Sequence, residues 1–374
     1  MSAPSLSDHL RGRIESEGPL TVAQYMAEAL SNPDFGYYMN RDPFGIEGDF
    51  ITAPEISQMF GEIIGLWCAV LWQGLGAPAP FNLVELGPGR GTLMADLLKA
   101  AAVQPGFLDA ARVHLVETSP VLTAAQEKTL SGVPLKTPPQ WHRRLEDVPE
   151  GPMLLIANEF FDALPIRQFV RGRDGWSERL VGVDAGADPE QGSLVLQFEM
   201  SPPLAGAPEV PDDFQDAAVG SVFEVCPDAQ AMVQAIAARI ARSGGAALIV
   251  DYGHPSSAIG ETLQAVKGHS FHDILADPGE ADLTAHVDFG ALAEAANRGA
   301  DGGAVQVLGP VPQGAFLERL GLSARAAILL EGASPEQAED IRSAQFRLTD
   351  VSAMGSLFKV LALAQPGLAV PPWS

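Results

Sequence analysis

Two short stretches carry residue types able to do chemistry. In Glu85-Leu-Gly-Pro-Gly-Arg-Gly91 an acid precedes three glycines at alternate positions. In Asn158-Glu-Phe-Phe-Asp-Ala-Leu-Pro165 polar and aromatic residues follow the apolar run Met153-Leu-Leu-Ile-Ala157. Gly87, Gly89 and Gly91 let the backbone take positive φ and let a ligand approach without meeting a Cβ. The amphipathic segment behind them, with Leu93, Met94, Leu97 and Leu98 at helical spacing, offers a helix N-terminus with free N–H groups. The spacing is E-x-G-x-G-x-G, whereas the dinucleotide fingerprint is G-x-G-x-x-G. A carboxylate at Glu85 repels a pyrophosphate and holds a cationic amino-acid ligand.

That glycine pattern resembles the S-adenosylmethionine loop of class I methyltransferases. Other candidate residues follow from their places on strands. Val113-His-Leu-Val-Glu117 reads as a second strand, and Glu117 lies 26 residues beyond Gly91, where this class of sheet grips ribose hydroxyls. Asn158, Glu159 and Asp162 end a buried strand, the position at which α/β sheets place chemistry: Asn158 toward the donor, Glu159 and Asp162 toward the acceptor. Asp251 and Tyr252 end another, and Asp147 is a candidate for an adenine edge. Asp49, Glu55, His269 and His286 are weaker candidates for substrate contact; taken alone, Asp49 and Glu55 read slightly better as turn and cap residues. His269, His272 and His286 form no metal framework, so no metal is expected.

The positioning elements are legible from periodicity. Thr21-Val-Ala-Gln24 is a capping box opening a helix, and Thr52 with Glu55 reads as a second one, opening a long amphipathic helix stopped by Gly74 and Gly76. Buried strands are predicted at Leu83 to Leu86, Val113 to Glu117, Met153 to Ala157, Ala246 to Gly253, Val305 to Leu308 and Gly355 to Ala362. Ile166 to Val170, Trp176 to Val183 and Ser193 to Met200 alternate apolar with polar, with a hairpin turn at Arg171-Gly-Arg-Asp-Gly175, so an antiparallel insertion is expected. Helices are expected at Gln313 to Leu322 and Pro335 to Phe346. The proline-rich end, from Gln365 to Ser374, reads as frayed. The organisation expected is an N-terminal helical arm and loop (1–48), a catalytic domain (49–365) with insertions at about 164–221 and 254–300, and a tail (366–374).

Composition bounds the function. With 23 Lys and Arg against 47 Asp and Glu, the net charge of −24 disfavours nucleic-acid binding. No apolar run spans a bilayer, so no membrane insertion is expected. Acids near the start (Asp8, Glu15, Glu17) and the lack of an apolar leader favour the cytoplasm, with a mitochondrial matrix location only after removal of a transit peptide. Cys68 and Cys226 show no metal or redox spacing, and the sequence leaves open a disulfide between them.

Four stretches together resemble the MidA-type methyltransferases, bacterial and mitochondrial relatives of the respiratory complex I assembly arginine methyltransferase. They are Gly48-Asp-Phe-Ile-Thr-Ala-Pro-Glu-Ile-Ser-Gln-Met-Phe-Gly61, Val84-Glu-Leu-Gly-Pro-Gly-Arg-Gly-Thr92, Asn158-Glu-Phe-Phe-Asp-Ala-Leu-Pro165 and Ala281-Asp-Leu-Thr-Ala-His-Val-Asp288. The resemblance implies a Rossmann-like, seven-stranded, mostly parallel sheet with a reversed final strand. It implies S-adenosyl-L-methionine as donor and protein arginine ω-methylation, with a complex I subunit as the partner. Two rivals stand beside it: a cofactor-binding assembly factor without catalysis, and an NAD(P)-dependent oxidoreductase, against which the glycine spacing and Glu85 speak.

Overall fold

Apolar runs buried on both faces favour a parallel sheet covered by helices on each side. The structure, a computed structural model, describes residues 5–41, 52–184, 195–207, 209–299 and 304–374; Asp49 lies outside the described residues. The strands of the large sheet, in chain order, are β1 (Phe81–Leu86), β2 (Ala111–Val116), β3 (Gln140–His142), β4 (Met153–Asn158), β5 (Gly245–His254), β6 (Gln306–Pro312) and β7 (Phe358–Ala364). Their spatial order is β6-β7-β5-β4-β1-β2-β3, and the short strand Val287–Asp288 adds beside the end of β5. Strands β1 to β5 run parallel, and β7 is antiparallel to both of its neighbours. The reversed final strand that the resemblance implies is therefore present. The chain leaves β1 in one direction and returns as β4 on its other side, so the switch point lies between the ends of β1 and β4, where such sheets bind ligands.

The pleat sends alternate residues to opposite layers. Leu83 and Ile156 pack with helices α5 (Gln58–Gly74) and α6 (Thr92–Ala101), whereas Val84, Leu86 and Leu155 pack with the helices Pro227–Ser243 and Phe289–Gly299. By that alternation Glu85 and Asn158 face the α5–α6 layer.

A second core lies beside the sheet. Helices α1 (Leu6–Glu17), α2 (Val22–Ser31) and α3 (Tyr37–Asn40) form the arm, and the Thr21–Gln24 capping box is present. Arm residues Leu10, Tyr25 and Met26 are buried with Val181, Leu263 and Leu283. The expected antiparallel insertion is a five-stranded sheet, which Leu20–Thr21 joins beside Trp176–Val183 and Val222–Val225 joins beside Arg167–Arg171.

Several expectations are corrected. Thr52 makes no side-chain cap; α4 (Ala53–Ile56) is one short turn, and Ser57 caps the long α5 by accepting from the Met59 N–H. Glu55 instead accepts from Thr92 Oγ1 at 2.6 Å. The helix expected at Gln313 to Leu322 is two, Gln313–Arg319 and Leu322–Leu330, and Met354–Leu357 is helical before β7 begins. The tail is docked: Leu368 and Val370 are buried, and the Trp67 Nε1 donates to the Pro371 carbonyl at 2.8 Å. Cys68 and Cys226 are both free thiols. Among the described residues no helix is long and apolar enough to cross a membrane.

Candidate active site

The site is built where β1 and β4 end. Gly87, Gly89 and Gly91 have φ of 59°, 53° and 81°. A Cβ at Gly87 would stand 2.8 Å from Phe160 Cδ2, so this turn admits only glycine without displacing that ring. Beyond the loop α6 begins, and the first N–H groups of a helix lack partners within it. Thr52, Pro54, Glu55, Glu85, the loop residues, Asn158 and Glu159 line one recess here, and among the described residues Arg90 is its only basic side chain.

Three acceptor atoms in this region are buried and unpartnered: Glu85 Oε2, Asn158 Oδ1 and Asp162 Oδ1. Buried polar atoms ordinarily have partners, so Glu85 and Asn158, which line one recess, point to a ligand's place there. Glu85 is 3% exposed, and burial lifts its carboxyl to about 8. Loss of water without a compensating cation raises an acid in this way. A positive ligand group restores the charge balance, and a pyrophosphate worsens it. The recess therefore fits the cationic donor read from the sequence.

Glu117 is held at the end of β2. Its Oε1 accepts from the Thr118 and Ser119 N–H groups, each at 2.7 Å, and its Oε2 from Gln126 Nε2 at 3.1 Å. Burial raises its carboxyl against the opposing pull of these hydrogen bonds. Gln126, fully buried, also donates to the Gly89 carbonyl at 2.7 Å and accepts from Trp141 Nε1 at 2.9 Å. One side chain thus ties the glycine loop to the strand-end acid.

Past Asn158 the backbone turns sharply. Glu159 has φ of 50°, an uncommon conformation for a residue with a Cβ. The turn sets its Oε1 to accept from the Ala53 N–H at 2.8 Å and from Asn158 Nδ2 at 3.1 Å. Burial, with help from Asp162, lifts Glu159 to about 7. Asp162, lifted by burial against the opposing influence of the nearby Tyr252 hydroxyl, lies at about 6. Beneath it Asp251, wholly buried, accepts from the Phe161 and Asp162 N–H groups at 2.9 and 3.2 Å and fixes the turn. Burial and the two neighbouring carboxylates push Asp251 well above the usual range.

A cavity of about 180 Å³ runs from Gly87, Gly89 and Glu117 past Glu159 and Asp162 to Tyr252, Tyr38 and Asp282. The structure so brings together Glu85, Gly87, Gly89, Glu117, Asn158, Glu159 and Asp162. Glu55 lines the recess beside the glycine loop. His286 lines a separate cavity behind Phe161 and packs edge-on against Tyr252 at 5.4 Å. His269 is exposed in the turn between the strands Gln264–Lys267 and Ser270–His272, and Asp147 pairs with Arg144 on the surface. Among the described residues no group of His, Cys, Asp and Glu is arranged to hold a metal.

Gln126, Tyr38 and Asp282 escaped the sequence reading as site residues. Gln126 stands inside an ordinary helix, Pro120–Leu130, and carries no local signal. Asp282 belongs to the Ala281-Asp-Leu-Thr stretch of the family resemblance, in which no local pattern singles it out.

A parallel sheet with one reversed strand, a glycine loop after its first strand and an acid after its second define a Rossmann-like methyltransferase. The comparisons agree with that class. Residues 63–310 match the family described as "Putative S-adenosyl-L-methionine-dependent methyltransferase". The chain is 44% identical over 387 residues to the mitochondrial protein arginine methyltransferase NDUFAF7 homolog of Drosophila melanogaster, covering 96% of this chain and 84% of that one. It is 39% identical to the human mitochondrial protein arginine methyltransferase NDUFAF7, covering 95% and 82%. A Burkholderia thailandensis protein crystallised with S-adenosyl-homocysteine superposes with a TM-score of 0.81 at 29% identity, covering 99% of this chain and 96% of that one. The chain belongs to this family of S-adenosyl-L-methionine-dependent methyltransferases.

Proposed function

We propose that the protein methylates arginine side chains of a protein substrate, and that the substrate is a subunit of respiratory complex I. The observation that carries this reading is the continuity of one acid-lined cavity from the donor residues to Glu159 and Asp162. The names of the relatives support arginine as the acceptor.

When bound, S-adenosyl-L-methionine supplies a methyl group already activated by a sulfonium. The chain's own residues do the rest. Glu85 and the N-terminus of α6 would hold the amino-acid end, with Arg90 for its carboxylate, and Glu117 would hold the ribose hydroxyls. Proximity and alignment account for most of the acceleration in a displacement of this kind. A guanidinium is protonated at neutral pH, its pKa lying far above the physiological range. Asp162 and Glu159 would orient it and localise its charge. Methylation of a guanidinium nitrogen would require that nitrogen to give up a proton. Glu159, lifted to about 7, is poised to take it.

The test is mass spectrometry of methylarginine in complex I subunits from cells with and without this protein. Loss of one methylarginine on deletion, restored by the wild type and not by Asp162→Asn, is the expected result. Restoration by Asp162→Asn would remove that residue from catalysis. An unchanged methylarginine profile on deletion would remove arginine methylation of complex I.

A further inference from the structure

The short turn α4 is anchored at both ends of the site. Helices α5 and α6 lie close because α5 presents glycines to its neighbour: a Cβ at Gly61 would stand 2.8 Å from Asp96 Cβ, and one at Gly65 would overlap the Leu97 carbonyl. That packing brings Thr92, the first residue of α6, beside α4, which leads into α5. There Glu55 Oε1 accepts from Thr92 Oγ1 at 2.6 Å, a length typical of a hydroxyl bonded to a carboxylate.

Earlier in the same turn, Ala53 meets Glu159. The first N–H groups of a helical turn have no partner within it, and the Ala53 N–H donates instead to Glu159 Oε1 at 2.8 Å. Ala53 is wholly buried in the main core, and Ile56 packs against that core. The turn thus joins the start of α6, through Glu55, to the acid that follows β4, through Ala53. Burial is the foremost influence on Glu159 and lifts it, and the Ala53 N–H is foremost among the groups that pull it back down. A hydrogen bond given to the charged form favours that form.

We infer that α4 positions the Glu159 carboxylate, and that Thr92 and Glu55 are positioning residues that hold α4 in place and so tie the glycine loop to that carboxylate. This rests on the reading above in which Glu159 takes the acceptor's proton, and it adds two residues that act on Glu159 only through Ala53. Thr92 and Glu55 also line the recess beside the glycine loop, so a ligand seated there bears on the same anchorage. The charged surroundings of Glu159 come from several elements. Asp162 and Asp251 lie on its own turn and on β5, Glu55, Glu85 and Arg90 share the recess, and Glu117 and Asp282 line the adjoining cavity. A change at Thr92 removes none of these charges.

The test is a carbon-13 NMR titration of the Glu159 carboxyl in the full-length protein labelled at glutamate, with the resonance assigned by its absence from Glu159→Gln. Beside it stands the pH dependence of methyl transfer from S-adenosyl-L-methionine to complex I isolated from cells lacking this protein. Thr92→Val keeps the shape of the side chain and removes the hydroxyl, whereas Thr92→Ser keeps the hydroxyl. The wild-type midpoint is expected near 7. Thr92→Val should raise it by about half a unit to one unit, and Thr92→Ser should leave it within about 0.2 of the wild type. Methyl transfer by Thr92→Val should be slower by about threefold or more near pH 7 and recover most of the difference near pH 9, where a lesion of the fold would persist. Thr92→Ala removes the same hydroxyl and carries the test if Thr92→Val does not fold. The titration needs no acceptor, so it decides the positioning role even where the complex I fraction takes up no methyl group. An unchanged midpoint in Thr92→Val, or a Thr92→Ser that behaves like it, overturns the inference. If the midpoints shift and methyl transfer is flat in pH in every protein, the positioning role stands and the reading of Glu159 as the base fails. If the midpoint is unmoved and transfer still rises through about pH 7, the inference alone fails.

Discussion

Gln126 Nε2 donates to Glu117 Oε2 at 3.1 Å, and the same nitrogen donates to the Gly89 carbonyl at 2.7 Å. The acid that ends β2 and the loop that follows β1 are therefore set relative to one another by a single buried amide.

Gln126→Leu fills the space and removes both donors, and it leaves Trp141 Nε1 without its acceptor. An unsatisfied buried group of this kind costs about 1–3 kcal/mol. The variant should lose roughly tenfold or more in S-adenosylhomocysteine affinity, with a lower melting temperature, measured by calorimetric titration and thermal melting.

The raised acids make stability depend on pH. Burial lifts Glu85 from its ordinary 4.5 to about 8, and Glu159 from the same value to about 7. Between the unfolded and folded values the folded chain holds a proton that the unfolded chain has lost, so folding is favoured at the acid end. Stability of the ligand-free protein should fall as pH rises from about 4.5 toward 8, by up to about 1.4 kcal/mol per pH unit for each group. Denaturant unfolding at several pH values between these limits measures the slope, which Glu85→Gln should flatten. Equal slopes in wild type and variant would show that Glu85 is not buried in its neutral form.

Glu159 combines a backbone φ of 50° with a carboxyl lifted to about 7. Glu159→Gln keeps an amide oxygen for the Ala53 N–H and removes the base. Turnover should drop by about 100-fold or more with the melting temperature at pH 8 unchanged or higher. In the wild type, kcat should rise through about pH 7 and level off above it. A flat profile, or near-normal turnover in the variant, would assign the proton elsewhere.

Gly87→Ala tests the loop itself. Its φ of 59° disfavours any Cβ, and the added methyl would meet Phe160 at 2.8 Å. A cost of about 1–3 kcal/mol is expected, read as weaker S-adenosylhomocysteine binding together with a lower melting temperature.

The glycine-loop side of the site was legible because its signals are local. Three spaced glycines, an acid two positions ahead and flanking periodic runs lie within a dozen or so residues, and the reversed final strand came with the family resemblance. The side of the cavity around Asp162 and Asp282 was legible only in part. Tyr38 and Asp282 meet across 244 positions of sequence, and no periodicity links them. The pairing of Leu20–Thr21 with Leu180 and Val181 involves two residues, too few for an alternation to show. Thr52 and Glu55 have the spacing of a capping box, but the Glu55 side chain is engaged by Thr92. The tail's prolines suggested fraying, and nothing in its composition announces that Leu368 and Val370 bury themselves in the main core.

Calorimetric titration of S-adenosylhomocysteine into wild type and Glu117→Gln bears most directly on the claim that these strand ends seat the methyl donor. The account expects one site per chain in the wild type and binding weaker by about tenfold or more in the variant. Absence of binding to the wild type, or equal affinity in the two proteins, would contradict it.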